Sequence, residues 1–299
     1  MFNRNRAKQF SVYNSAKQHF IENYQKLINL EHYLSEYLVQ LLKNNIEEIS
    51  RDYNEASKLY PFWQNYPPDE RGRSPRGDQF PWIEVGEHAI GDKLPRLISH
   101  DFNVSDPGLP TGADKRFLLR NGQISKITGG YTNATWLFID IKSVGPRDDF
   151  EHTVMSHNQI SGDGVWSDLE TGIKNSVMKA IGRRAQHPFH CSIPPLYILS
   201  DETIAPTVII AIKPVYSMLA IDNDSKEVGQ PLSKISVVTI PNGLLLTTSP
   251  GYLKQYPSLL YPGKDDKKKN PLKVRCRVDF DILKKIDTWR VVEFSVDKR

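Results

Sequence analysis

The segment 134–149, ATWLFIDIKSVGPRDD, carries the residues best suited to chemistry. Trp136, Leu137, Phe138 and Ile139 form an unbroken apolar run, the pattern of a central strand covered on both faces. Asp140, Ile141 and Lys142 follow, and Gly145-Pro146 closes the strand. Side chains alternate faces along a strand, so Asp140 and Lys142 project to one side, about 7 Å apart along the chain, and Ile141 to the other. A bare Asp-x-Lys reads first as a structural ion pair. Two charges beside such an apolar run are nevertheless costly unless they are partnered or used. A second acid, Asp114, stands just before a predicted strand over 117–120. Two carboxylates can hold Mg²⁺, a hard cation that takes oxygen ligands and keeps several waters. The Ile141 carbonyl can complete such a shell. The metal would neutralise charge on a phosphate and lower the pKa of a bound water. A lysine at the same place would orient that water and stabilise developing negative charge.

These residues need a sheet to hold them. From residue 117 onward, β-branched and aromatic runs bounded by Gly, Pro, Asn or Asp predict strands over 117–120, 124–128, 135–142, 196–200, 207–213, 235–240, 244–248, 274–280 and 290–296. A helix is predicted over 166–181. The first sixty residues read as helical. Leu27, Ile28, Leu34, Leu38, Leu41, Leu42, Ile46 and Ile49 recur at three- and four-residue steps, and Pro and Gly are absent up to Pro61. Residues 61–81, rich in Pro and Gly, read as a long loop, and 82–99 as a short helix interrupted by Gly and ended near Pro95. No repeat or boundary divides the chain. The expectation is one α/β domain over 1–299: a helical N-terminal layer over 1–60 and a core over 61–299.

Composition fits this reading. Of 299 residues 39% are hydrophobic and 25% charged, which argues against disorder. No window approaches 18 apolar residues, so no membrane span is expected. MFNRNRAKQF lacks the apolar run of a secretory signal. The two cysteines, Cys191 and Cys276, are too few for a disulfide framework and read as buried thiols, which points to a cytoplasmic protein. The net charge of +4 permits a polyanionic partner without requiring one. GxSxG, HExxH and P-loop motifs are absent, and the eight histidines are scattered. Asp148-Asp149 is a carboxylate pair, but nothing fixes it in the geometry of a glycosidase.

An acid before one strand and Asp-x-Lys at the end of the next resembles the layout of PD-(D/E)xK nucleases. Within that superfamily the chain resembles the BglI family of type II restriction endonucleases. The stretches that carry this resemblance include NYPPDERG (65–72), GDQFPWIEVGE (77–87), GLPTG (108–112), DIKSVGPRD (140–148), NQISGDG (158–164), PPLYILSDETIAP (194–206), PGKDD (262–266) and RCRVD (275–279). The resemblance implies a mixed central sheet flanked by helices, and a homodimer that hydrolyses double-stranded DNA. The site implied is an interrupted palindrome, GCC-N5-GGC or a close variant, cut to give 5′-phosphate and 3′-hydroxyl ends with 3′ overhangs. It places metal-binding acids at Asp114 and Asp140 and the catalytic lysine at Lys142, with two Mg²⁺ per site and Mn²⁺ able to substitute. Its base-reading residues fall on Asp148, Lys264, Asp266 and Arg275. A companion DNA methyltransferase and a bacterial or archaeal cytoplasm are implied as well. One departure is Ala113, where the superfamily name has Pro before the first acid.

The base-reading set makes chemical sense. Lys and Arg donate to guanine O6 and N7, and Asp accepts from cytosine N4. Lys267, Lys268 and Lys269 read as backbone-gripping residues or a solvated basic loop, and the same choice holds for Arg71, Arg73 and Arg76. Asn158, Gln159 and Ser161 form a polar run that reads equally as phosphate contacts or a plain turn. Glu87 is a candidate auxiliary acid, a surface or capping glutamate being the plainer reading. A structure-selective repair nuclease and a non-catalytic DNA-binding module are the alternatives on the same core.

Overall fold

The computed structural model describes residues 2–57, 80–105, 112–144, 151–168, 172–173, 177–182, 185–216, 231–263, 270 and 273–296. The helical N-terminus is three helices, α1 (Phe2–Glu22), α2 (Tyr24–Asn44) and α3 (Ile46–Ser57). Asparagine marks both breaks. The Asn23 and Asn45 side-chain amides each donate to a carbonyl four residues back, His19 O at 2.9 Å and Leu41 O at 2.8 Å. Such local bonds compete with continuation of the helix. Two short helices follow, α4 (Phe80–Ala89) and α5 (Leu94–Ile98). Pro95 stands in the first turn of α5, where its missing N–H costs nothing. It therefore starts a helix where the sequence reading ended one.

The central sheet is mixed. It contains β1 (Asn103–Ser105), β2 (Lys115–Arg120), β3 (Ala134–Ile141), β9 (Leu196–Ile198), β10 (Ile204–Tyr216), β11 (Leu232–Ile240) and β14 (Val291–Ser295). The order is β1-β2-β3-β10-β11-β14, with β9 also on β10. β3 and β10 are parallel, and the other pairs are antiparallel. Every residue of β3 is buried, as its apolar run requires. Its even-numbered residues Trp136 and Phe138 enter one hydrophobic cluster with Tyr13 and Phe20 of α1. Its odd-numbered Leu137, Ile139 and Ile141 enter another with Leu34 and Leu38 of α2 and Tyr53 of α3. Each such buried side chain contributes about 1.5–3 kcal/mol, so β3 is a firm support for what it carries.

A second sheet, of three strands, has β4 (His152–Met155), β12 (Leu260–Pro262) and β13 (Cys276–Asp279) in the order β12-β13-β4. Buried Lys213 of β10 ties the two sheets, its Nζ donating to His152 O at 2.7 Å.

Three predicted elements differ. Residues 124–127 and 244–247 are helical, in α6 (Gly122–Ile127) and α7 (Gly243–Thr247). Each is opened by an asparagine cap: Asn121 Oδ1 accepts from Ile124 N and Asn242 Oδ1 from Leu244 N. Short apolar runs do not distinguish strand from helix, and the cap decides. The predicted helix over 166–181 is instead strand: β5 (Trp166–Asp168) pairs with β6 (Gly172–Ile173), and β7 (Val177–Gly182) with β8 (Ala185–His190). Met178 and Ala180 are buried while Val177 and Lys179 are exposed, a period of two. A four-residue helix, α8 (Tyr252–Gln255), the helix α9 (Phe280–Ile286) and two 3-10 turns, His157–Gln159 and Thr288–Arg290, complete the described elements. No described helix is long and apolar enough to cross a membrane.

Candidate active site

Asp140 ends β3 on the face of Trp136 and Phe138 and is 1% exposed. Lys142 lies on the same side with its side chain 31% exposed. Its Nζ is 2.8 Å from Asp140 Oδ2 and donates to Oδ1 at 3.0 Å. The antiparallel register Lys115↔Ile139, extended by one residue, sets Asp114 opposite Asp140. Asp114 Oδ2 accepts the Ile141 N–H at 2.6 Å, which holds the first acid against the end of β3. Sequence-predicted Asp114, Asp140, Ile141 and Lys142 are therefore brought together.

Glu87 approaches on α4. This helix packs closely at Gly86, where an added Cβ would lie 1.9 Å from Ser143 Oγ and 2.7 Å from Tyr53 Oη. Only glycine permits that approach. The Asp140 carboxyl is pushed up to about 6, chiefly by burial. Lys142 opposes the rise, and Asp114 and Glu87 add to it. Glu87 is thus close enough to act on Asp140 electrostatically.

Gln159, which the sequence placed in a turn or on phosphate, lies against the same carboxylate. Its Nε2 donates to Asp140 Oδ1 at 2.5 Å and to Gly112 O at 2.9 Å. Ser161 is buried and accepts from Gly243 N at 3.2 Å, a structural contact. Nothing in local periodicity announces the Gln159 contact, which spans nineteen positions of chain. Its one sequence signal is a polar residue inside the NQISGDG stretch.

Would a divalent cation fit here? Asp140 Oδ2 is buried, accepts no well-aligned hydrogen bond and lies 2.8 Å from the Lys142 ammonium, and Asp114 and Glu87 both act on this carboxylate. The donors are all oxygen, which suits Mg²⁺ or Mn²⁺ and not a soft metal. Among the described residues no group of three or more His, Cys, Asp and Glu side chains forms a full ligand set. That is the usual case for Mg²⁺, which binds one or two carboxylates and fills its shell with water and phosphate oxygen. The residues present fit the ion.

Of the base-reading candidates, Arg275 is exposed one residue before β13. Asp148, Lys264 and Asp266 lie outside the described residues, as do Arg71, Arg73, Arg76, Lys267, Lys268 and Lys269.

The family model described as restriction endonuclease BglI matches residues 8–294. The chain belongs to the BglI restriction endonuclease family. The type II restriction enzyme BglI of Bacillus subtilis is 47% identical over 302 residues, covering 100% of both chains. A crystal structure of BglI bound to its DNA recognition sequence superposes with a TM-score of 0.89 over 100% of both chains, at 47% identity. The tetrameric restriction endonuclease SfiI, solved with cognate DNA, matches at a TM-score of 0.54 and 14% identity, covering 90% of this chain and 84% of its own. That more distant likeness concerns the fold alone. As a BglI family member the chain is a type II site-specific deoxyribonuclease.

Proposed function

We propose that this chain is a Mg²⁺-dependent homodimer that cuts double-stranded DNA at an interrupted palindrome, GCC-N5-GGC or a close variant. The products would be 5′-phosphate and 3′-hydroxyl ends with 3′ overhangs. The observation that carries the reading is the convergence of Asp114, Asp140 and Lys142 at the end of one buried strand, in a chain 47% identical over its full length to a restriction enzyme.

Asp114 and Asp140, with the Ile141 carbonyl, would hold the metal. When bound, the ion supplies Lewis-acid stabilisation of the phosphate and a more acidic water. The chain's own residues do the rest. Lys142, about a third exposed, presents an ammonium that can stabilise the negative charge growing on the phosphate and orient the attacking water by donating to it. β3 and β2 hold the two acids in a fixed register, so little reorganisation accompanies reaction. Glu87 is placed to serve as an auxiliary acid.

Asp148, Lys264, Asp266 and Arg275 are proposed to read G·C pairs in the major groove, with Arg71, Arg73, Arg76 and Lys267, Lys268 and Lys269 gripping phosphates. Twofold symmetry of a homodimer matches a palindromic site. A partner methyltransferase would protect host DNA in a bacterial or archaeal cytoplasm. Residues 1–299 are read as one domain, supported by helices of the first sixty residues lying in both hydrophobic clusters. The test is digestion of plasmid DNA with Mg²⁺ and sequencing of the ends. Discrete fragments that end at one interrupted palindrome are expected. Random nicks, cutting confined to branched DNA, or no cutting with intact binding would refute the reading.

A further inference from the structure

We propose that Gln159 is a positioning residue that sets the Asp140 carboxylate for a divalent cation. The inference rests on the metal reading above and adds to it a side chain outside the acid-acid-lysine set. Gln159 is 7% exposed and has all of its amide groups engaged. Its Oε1 accepts the Ser156 N–H at 2.8 Å. A backbone N–H can only donate, so this bond fixes which way the amide faces. Nε2 must then point at Gly112 O and Asp140 Oδ1, both acceptors. Two N–H groups meet two oxygens, and the side chain cannot flip without losing all three bonds.

The consequence falls on Asp140. One oxygen, Oδ1, is held by Gln159 and Lys142. The other, Oδ2, accepts no well-aligned hydrogen bond and lies 2.8 Å from the Lys142 ammonium, so Gln159 leaves it to the charged side of the site, where a cation would take the place of that ion pair. The same amide ties Asp140 to the segment bearing Asp114, because Gly112 precedes it by two residues. The backbone reinforces the tie: Gly112 N donates to Asn158 O at 3.0 Å. A Cβ at Gly112 would stand 2.3 Å from Asn158 Oδ1 and displace that side chain. The turn over His157–Gln159 thus clamps both acid-bearing segments at once.

Two variants test this. Gln159→Met keeps the length and removes the amide; Gln159→Asn keeps the amide and shortens its reach. Mn²⁺ binding to the protein alone is followed by electron paramagnetic resonance, beside the Mg²⁺ concentration for half-maximal DNA cleavage and the melting temperature. Loss of a group that orients a ligand weakens metal binding about tenfold or more. That weakening is expected in both variants, with cleavage by Gln159→Met largely restored at high Mg²⁺. A lower melting temperature with unchanged Mn²⁺ affinity and Mg²⁺ dependence in either folded variant would reduce Gln159 to a packing residue and overturn the proposal. Failure of the parent chain to bind Mn²⁺ would overturn the metal reading itself.

Discussion

Asp140 and Glu31 are both almost fully buried carboxylates facing a basic side chain, and the two surroundings differ in kind. Glu31 of α2 is closed. Its Oε1 accepts Asn242 N at 2.6 Å and its Oε2 accepts Arg290 Nη1 at 2.9 Å. Arg290 is itself fully buried, donates to Asp287 at 3.2 Å, and lies 4.4 Å from the Trp289 ring centroid, with only its Nη2 lacking a hydrogen-bond acceptor. This pair joins α2, the turn before α7 and the start of β14. At Asp140 one oxygen lacks a well-aligned hydrogen bond, the cation partner is a third exposed, and two further acids act on the carboxylate. Charge paired inside the protein serves stability. Charge assembled with more acids than bases, beside a partly exposed cation, is the arrangement expected of a functional site.

The contrast can be broken by substitution. Asp140→Ala and Lys142→Ala should each lower cleavage about 10³-fold or more, some 4 kcal/mol of transition-state stabilisation, with binding to DNA kept. Either variant retaining near-parent cleavage in a single-turnover assay would erase the distinction. Arg290→Met should do the reverse. Removing one member of a buried pair costs about 3–5 kcal/mol of stability, read by urea unfolding, with activity per folded molecule unchanged. A mild loss, or an activity loss beyond the unfolded fraction, would sink the structural assignment.

A smaller effect is set by pH. The Asp140 carboxyl titrates near 6 in the folded, metal-free protein, against an ordinary value of 3.8. A raised folded value means that its contribution to stability is present below about 3.8 and lost as pH rises through 6. Asp140→Asn should therefore be more stable than the parent at pH 8, by up to about 3 kcal/mol, with the advantage gone near pH 4. Thermal melts in chelator at both pH values check this, and a variant less stable at pH 8 would contradict it. Arg275→Ala should weaken binding to the recognition site by about 1–3 kcal/mol and leave non-specific affinity nearly unchanged. Competition binding against random DNA reads the difference, and an equal loss on both would make Arg275 a phosphate contact.

Much of the catalytic end of the sheet is legible in the sequence because β3 is extreme. An apolar run that long admits a covered strand, and period-two alternation then puts Asp140 beside Lys142 without reference to the rest of the fold. Asp114 needs the register of β2 on β3, which the sequence only suggests through the short strand that follows it. Gln159 and the Glu31–Arg290 pair are not legible, since each contact joins segments far apart in the chain and depends on packing of whole layers. α6 and α7 were hidden for a local reason. Their apolar runs are too short to show a period, and the deciding feature is one asparagine side chain at each start. The strands over 177–182 and 185–190 needed their partner, because 177–181 alone alternates too briefly to exclude a helix.

The most direct test takes purified Asp140→Asn beside the parent chain and measures, on the same plasmid with Mg²⁺, both cleavage and binding. The variant is expected to fold, to bind the recognition site as tightly as the parent, and to cut it at least about 10³-fold more slowly. Cutting by the variant at a rate near the parent's would contradict the placement of the reaction at the end of β3.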